Sequence, residues 1–586
     1  MKKIILWLTV LGLLCLFLTS CGADSDILYA QRGSVERAAL GELYPAANAG
    51  TVLAALNAAG SGVADRWEPP EAGRSEAGTQ LVLSEVAGKG GVPGDTVATD
   101  GANIYMVDGY GLIVVSAAGS ASTLRSYTRV DREGETWGDR LYLLGDRAAV
   151  IWNASDEAGD ATRVWAAVLD ISAPEAPALV ARVSVEGSLV EASLLGESLC
   201  LVTQETLLSL PGEKEAQTLL PTLTEDDKSL TVRAGDVYLS PNPARAALTT
   251  VAALRLTDGR FTDVLAFTDG TEAVLAEGQD LYLARTRWDE TAADPYREDP
   301  YTVVEYQVTA RTEVKRLRLT EGALALEGGV TLDGALSDPG ALDLLEGSLR
   351  AFTRVDLRRF AAYTDEKHGW TNFEGRSYET GDQLTLLDKN FEVRGSLTNL
   401  GGERGVNHCR FLRANAWMTA GNLLGLANLA DTQGPTLCAS VEAAGETLIL
   451  RDLGTDKVLC AALPAEGDPV LTVYDLSNPG NPKELDRLTW NAVPAGDLTA
   501  RGALFADQAT GLIGWPARGT QGAEYRLLCW NGEKLEKKGS FALEYVPENA
   551  WTLLLGGLLY VCSPGAVYVT DPGSMTLLTT VSNTVG

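Results

Sequence analysis

Aromatic rings, carboxylates and arginines crowd two stretches of this chain, the mixture that stacks on sugar rings or forms the centre of a protein contact. The first runs from Trp288 to Tyr301 and carries Trp288, Asp289, Tyr296, Arg297 and Tyr301. The second runs from Tyr363 to Tyr378 and carries His368, Trp370, Phe373 and Arg376. Both read as long loops, and these nine residues are the candidate binding surface. The competing reading is that each loop folds its own rings against the rim of the domain that bears it.

The residues available for bond-breaking chemistry are few. His368 and His408 are the two histidines of 586 residues. His408 precedes Cys409 in a strand-like run, and neighbouring strand residues face opposite ways, so the two do not form a nucleophile and base. No paired metal-ligand spacing, Gly-x-Ser-x-Gly elbow, phosphate-binding loop or dinucleotide fingerprint is present. No cofactor is expected. The acidic turn Asn153 to Asp160 offers hard oxygen donors for calcium without the ligand order of an EF-hand, and reads first as a solvated turn. Carboxylate pairs for glycan hydrolysis or elimination stay open as an alternative, although spacing nominates none.

The N-terminus supplies an address. Lys2 and Lys3 precede an apolar run from Ile4 to Phe17, and Leu18-Thr19-Ser20-Cys21 closes it in the pattern of a bacterial lipoprotein leader. Residues 1–20 read as the leader and Cys21 as the lipidation site, with two acyl chains giving firm attachment to the outer face of a membrane. An uncleaved spanning helix is the alternative. The chain has 78 acidic against 48 basic residues and a net charge of −30. Such a field disfavours nucleic acid. Cys200, Cys409, Cys438, Cys460, Cys529 and Cys562 are even in number, which permits disulfides in an exported chain. Most sit in apolar runs, which suits buried thiols at least as well.

Behind the leader, residues 21–78 read as a spacer with one short helix at Thr51 to Leu56 and an extended Pro69-Pro70. From 79 to 586 short apolar runs alternate with Gly, Asp, Asn and Pro, as in an all-β chain. Gly, two variable residues, Leu or Ile, then Tyr or Cys recurs from Gly101, Gly138, Gly196, Gly278 and Gly556. Asp170-Ile-Ser172-Ala-Pro174 to Pro177 is matched by Asp475-Leu-Ser477-Asn-Pro479 to Pro482. Spacing of this kind predicts a single β-propeller of about seven or eight four-stranded blades, its first and last units meeting to close the ring.

Thr99-Asp100-Gly101 before Ile104-Tyr105, the two proline turns, Glu346 to Arg350, Gly395 to Leu397 leading to Arg410-Phe411, and Leu512 to Pro516 together resemble a bacterial family of exported β-propeller proteins distantly similar to WD40 propellers. The resemblance covers Leu81 to the C-terminus and implies a propeller rather than a reaction. After Pro482, relatives continue into a Gly-Tyr-Ser segment with a nearby histidine, where this chain has Arg487-Leu-Thr-Trp490-Asn491. The expectation is a lipid-anchored extracytoplasmic propeller that binds an envelope protein, peptide or polysaccharide without catalysis. A carboxylate-dependent glycan hydrolase or lyase and a structural envelope component are the alternatives.

Overall fold

β-Branched and aromatic residues alternate over five to nine positions and then meet a glycine, aspartate or proline, so the chain turns back repeatedly on itself. The computed structural model describes residues 43–59, 80–83, 95–130, 140–155, 162–226, 228–240, 245–402, 405–464, 466–489, 493–494, 498, 503–519, 522–544, 550–563 and 565–583. Among the described residues the strands form eight sheets. Seven contain one four-stranded antiparallel unit each, and a ten-stranded sheet contains two, giving nine blades. They span 97–129, 140–186, 188–267, 273–333, 342–400, 408–442, 447–489, 505–542 and 551–582. The blades number one more than the seven or eight expected, and they make only eight sheets because blades 4 and 5 hydrogen-bond directly to one another.

Nine apolar cores separate consecutive blades, each built from side chains of two neighbours. One joins Val97, Ile104 and Ile113 of blade 1 to Tyr560, Cys562 and Val567 of blade 9. The Gly119 amide also donates to the Tyr560 hydroxyl at 2.9 Å. Among the described residues the ring therefore closes by face packing of whole blades, blade 1 against blade 9.

The repeats mark the turns. Gly101, Gly196, Gly278 and Gly556 each link a blade's innermost strand to its second, at φ of 91°, 61°, 64° and 57°. These values are strained for a residue with a Cβ. Gly138 lies outside the described residues. Both proline turns link a third strand to a fourth. In each the aspartate accepts the serine amide at 2.9 Å and pairs with a cation starting the second strand, Asp170 with Arg147 at 2.8 Å and Asp475 with Lys457 at 3.0 Å.

Of the stretch before the blades, residues 43–59 pack onto the propeller. The helix Ala49–Ala58 starts in a capping box between Asn48 and Thr51. Its Val52, Leu53 and Leu56 are buried in the core between blades 2 and 3. Tyr44–Pro45 pairs with Val237–Leu239, an insertion of blade 3. Gln80–Leu83 runs parallel to the innermost strand of blade 7, and Leu81 enters the core between blades 6 and 7. Apolar positions too few to fold alone are thus completed by the propeller. The leader, Cys21 and Pro69-Pro70 lie outside the described residues, as does most of the calcium-turn stretch. Its first residue, Asn153, accepts the Leu189 amide at 2.9 Å. No described helix is long and apolar enough to cross a membrane.

Candidate functional site

The two candidate loops are strands, which corrects the sequence reading. Asp280–Ala292 and Tyr301–Thr320 form one hairpin, with Tyr296–Glu298 folded back on its tip, and Ser348–Asp365 and Trp370–Leu387 form another. Each joins the second and third strands of its blade and runs past the blade's other strands. Thr302 to Thr309 of the first then pairs with Leu357 to Thr364 of the second. The result is a four-stranded antiparallel platform standing clear of blades 4 and 5. No glycine or proline interrupts Tyr301 to Thr320 or Ser348 to Asp365. That continuity was the available sign that these segments are extended.

Alternation then sorts the side chains onto two faces. One face carries Trp288, Tyr306, Val308, Arg358, Phe360 and Phe373, with Val308 and Phe360 buried. Tyr306 stacks on Phe360 at 5.5 Å, Phe373 meets Phe360 edge-on at 6.0 Å, and the Arg358 guanidinium lies 4.5 Å over the Trp288 ring. The other face is a polar lattice. Arg376 binds the Tyr363 hydroxyl and pairs with Glu374 at 3.1 Å and Glu305 at 3.5 Å. Arg359 binds Glu379 and, at 3.1 Å, Gln307.

At the tip the predicted residues gather. Tyr301 contacts Trp370 at 5.5 Å and Tyr363 at 6.0 Å between ring centres. The Tyr296 hydroxyl donates to Glu305 at 3.2 Å. Arg297 approaches Glu366 at 3.9 Å and Asp299 at 4.0 Å. His368 sits in the second turn with Nδ1 2.7 Å from Asp365, and this contact holds the Asp365 carboxyl below its ordinary range. Asp289 stands nearer the base, beside Arg287 and Arg311 at 3.4 and 3.6 Å. All nine predicted residues therefore lie on one platform. Tyr306, Val308, Arg358 and Phe360, which zip the hairpins together, were not singled out.

Beneath the first hairpin lies a buried ion network. Arg285 pairs with Glu313 at 2.6 Å and with Asp269 at 3.1 Å, and Lys315 also reaches Asp269. The Ser240 hydroxyl donates to Asp269 at 2.5 Å. Burial alone would raise the Asp269 carboxyl, yet Lys315 and Arg285 outweigh it and hold it below its usual value. The network ties the hairpin base to the exit of blade 3.

On the channel wall, His408 and Cys409 face opposite ways as strand alternation requires. His408 Nδ1 stands 3.6 Å from Asp338, while Cys409 is buried in the core between blades 5 and 6. Four carboxylates on or beside the innermost strands each engage an arginine: Glu191 with Arg140 at 2.8 Å, Asp338 with Arg410 at 2.6 Å, Asp343 with Arg350, and Asp452 with Arg413. Among the described residues no group of three or more His, Cys, Asp or Glu is placed to hold a metal ion. The six described cysteines are free thiols, with Cys200, Cys409, Cys460 and Cys562 buried.

A family model described as a beta propeller domain matches residues 90–553. No curated protein matches the chain. Similar solved structures include a putative 6-phosphogluconolactonase from Bacteroides fragilis, with 13% identity and a TM-score of 0.27 over 57% of this chain and 89% of that one. Apo AztD from Citrobacter koseri has 11% identity and a TM-score of 0.24 over 57% and 91%. A functionally unknown protein from Desulfotomaculum acetoxidans has 12% identity and a TM-score of 0.28 over 78% and 96%. At that distance none of the three bears on ligand or reaction.

Proposed function

Because the chain belongs to the beta propeller domain family, we propose that it is a binding propeller, held by lipid on Cys21 at the outer face of a membrane, with the paired-hairpin platform as its contact surface for an envelope protein, peptide or polysaccharide. Fold alone fixes no chemistry, so the reading rests on one observation: hairpins from two blades converge on a single projecting sheet. Building it leaves Tyr296 and Trp370 exposed at the tip, where rings contribute large contact area at low entropic cost. The polar lattice and the Phe360 cluster fix the shape beneath them, so little ordering is required on binding.

The test is capture from envelope extract with the full chain. Tyr296→Ala combined with Trp370→Ala is expected to lose the partner that the unaltered chain retains. Equal recovery by both would remove the platform as the contact surface.

A further inference from the structure

Two of the platform's guanidinium groups are held the same way. Arg358 lies over the Trp288 ring with Asp356 at 2.9 Å. Arg376 lies 5.6 Å over the Tyr363 ring with Glu374 at 3.1 Å. A ring face supplies negative quadrupole and a carboxylate supplies charge-assisted acceptors. At the tip the same components stand open. Trp370 is 43% exposed and Tyr296 44%, and Tyr301 props the indole from one side. Around them stand Glu298, opposite Tyr301 in register, and Asp299 and Glu366, whose side chains are 92% and 66% exposed. Arg297 touches the last two at 4.0 and 3.9 Å, and the Thr302 hydroxyl donates to Glu366 at 2.8 Å on the face Thr302 shares with Arg297, so Glu298 and Asp299 are the carboxylates with acceptor capacity toward solvent.

We infer that this tip recognises arginine or lysine side chains on an extended basic segment of a partner protein. The Trp370 and Tyr296 faces each take a cationic group while Glu298 and Asp299 accept N–H groups. Charge decides between the two kinds of macromolecule the platform could meet. A chain of net charge −30 attracts a basic segment and repels acidic polymers, whereas a neutral glycan gains hydrogen bonds but no net Coulombic attraction from the surplus carboxylates. This inference rests on the platform being the contact surface.

Fluorescence anisotropy of a labelled six-residue peptide alternating Arg and Gly, titrated with the full chain in detergent, tests it. Controls are a hexaglutamate peptide and a neutral oligosaccharide. The basic peptide is expected to saturate and to weaken as salt rises. Trp370→Ala should weaken it about tenfold, the scale of one well-placed cation–π contact. Glu298→Gln with Asp299→Asn should weaken it severalfold and flatten the salt dependence. No saturable binding, or affinity unchanged in both variants, overturns the inference. Saturable binding of the neutral oligosaccharide, lost in Trp370→Ala, overturns the ligand class while leaving the platform as contact surface. Envelope capture that ignores the platform substitutions overturns the platform reading itself.

Discussion

Lys315, Arg285, Asp269 and Glu313 are nearly solvent-free and balance one another in charge, so removing one member strands an opposite charge inside the protein. Lys315→Met should cost about 3–5 kcal/mol, the scale for breaking a buried pair, read as an earlier urea transition. The pH dependence has a definite sign. Because Asp269 is held below its ordinary range in the folded state, its contribution is present above the unfolded carboxyl value of about 3.9. It is lost as pH falls through the folded value. Acid should therefore destabilise the unaltered chain more steeply in this range than Asp269→Asn. Equal pH profiles would deny Asp269 this role. The cysteines give a second residue-level expectation. Burial pushes the Cys200 and Cys460 thiols up to about 12 and raises Cys409 and Cys562 as well, which leaves few thiolates to react. Native alkylation followed by mass spectrometry should label the partly exposed Cys438 and Cys529 first. The opposite facing of His408 and Cys409 was legible because it needs only strand alternation. The ion network was not, since Asp269 and Lys315 stand 46 positions apart and no local pattern couples them.

Among the elements, the paired hairpins depend on a small apolar seam. Phe360 is fully buried there, and replacing it with aspartate would bury a charge in an aromatic seam whose Arg358 is already paired with Asp356. Phe360→Asp should separate the hairpins while the blades, which carry their own cores, remain folded. Limited proteolysis would then cut within 289–309 and 357–378, with the blade strands themselves resistant. Unchanged resistance in both hairpins would show that the seam does not hold them together. The aromatic, acidic and Arg-rich composition of these segments was readable in sequence. Their strand state was missed because mixed polar and aromatic residues resemble a loop until cross-strand partners from the next blade are known. The same holds for the helix Ala49–Ala58. Its existence followed from Thr51 to Leu56, but its docking did not, because Val52 and Leu56 find their partners in blades 2 and 3.

For the whole molecule, nine inter-blade cores make the ring largely independent of whatever precedes residue 43. Cys21→Ala is accordingly expected to release the protein from the membrane fraction while leaving its thermal transition unchanged. Fractionation and calorimetry on the full-length variant check the two halves separately. Retention in the membrane would deny Cys21 the anchoring role, and a lowered transition would show that the anchor region supports the ring.

By itself the sequence determined the all-β class, the blade repeat, the aspartate-serine turns and the residue types of the proposed contact surface. Each depends on neighbours a few positions apart, where alternation, φ preference and side-chain hydrogen bonds act directly. Tertiary structure decided that two blades fuse into one sheet, that the early helix docks, and that nine scattered residues share one platform. Those outcomes come from pairings between segments tens to hundreds of residues apart, which come within reach only when successive blades stack on one another.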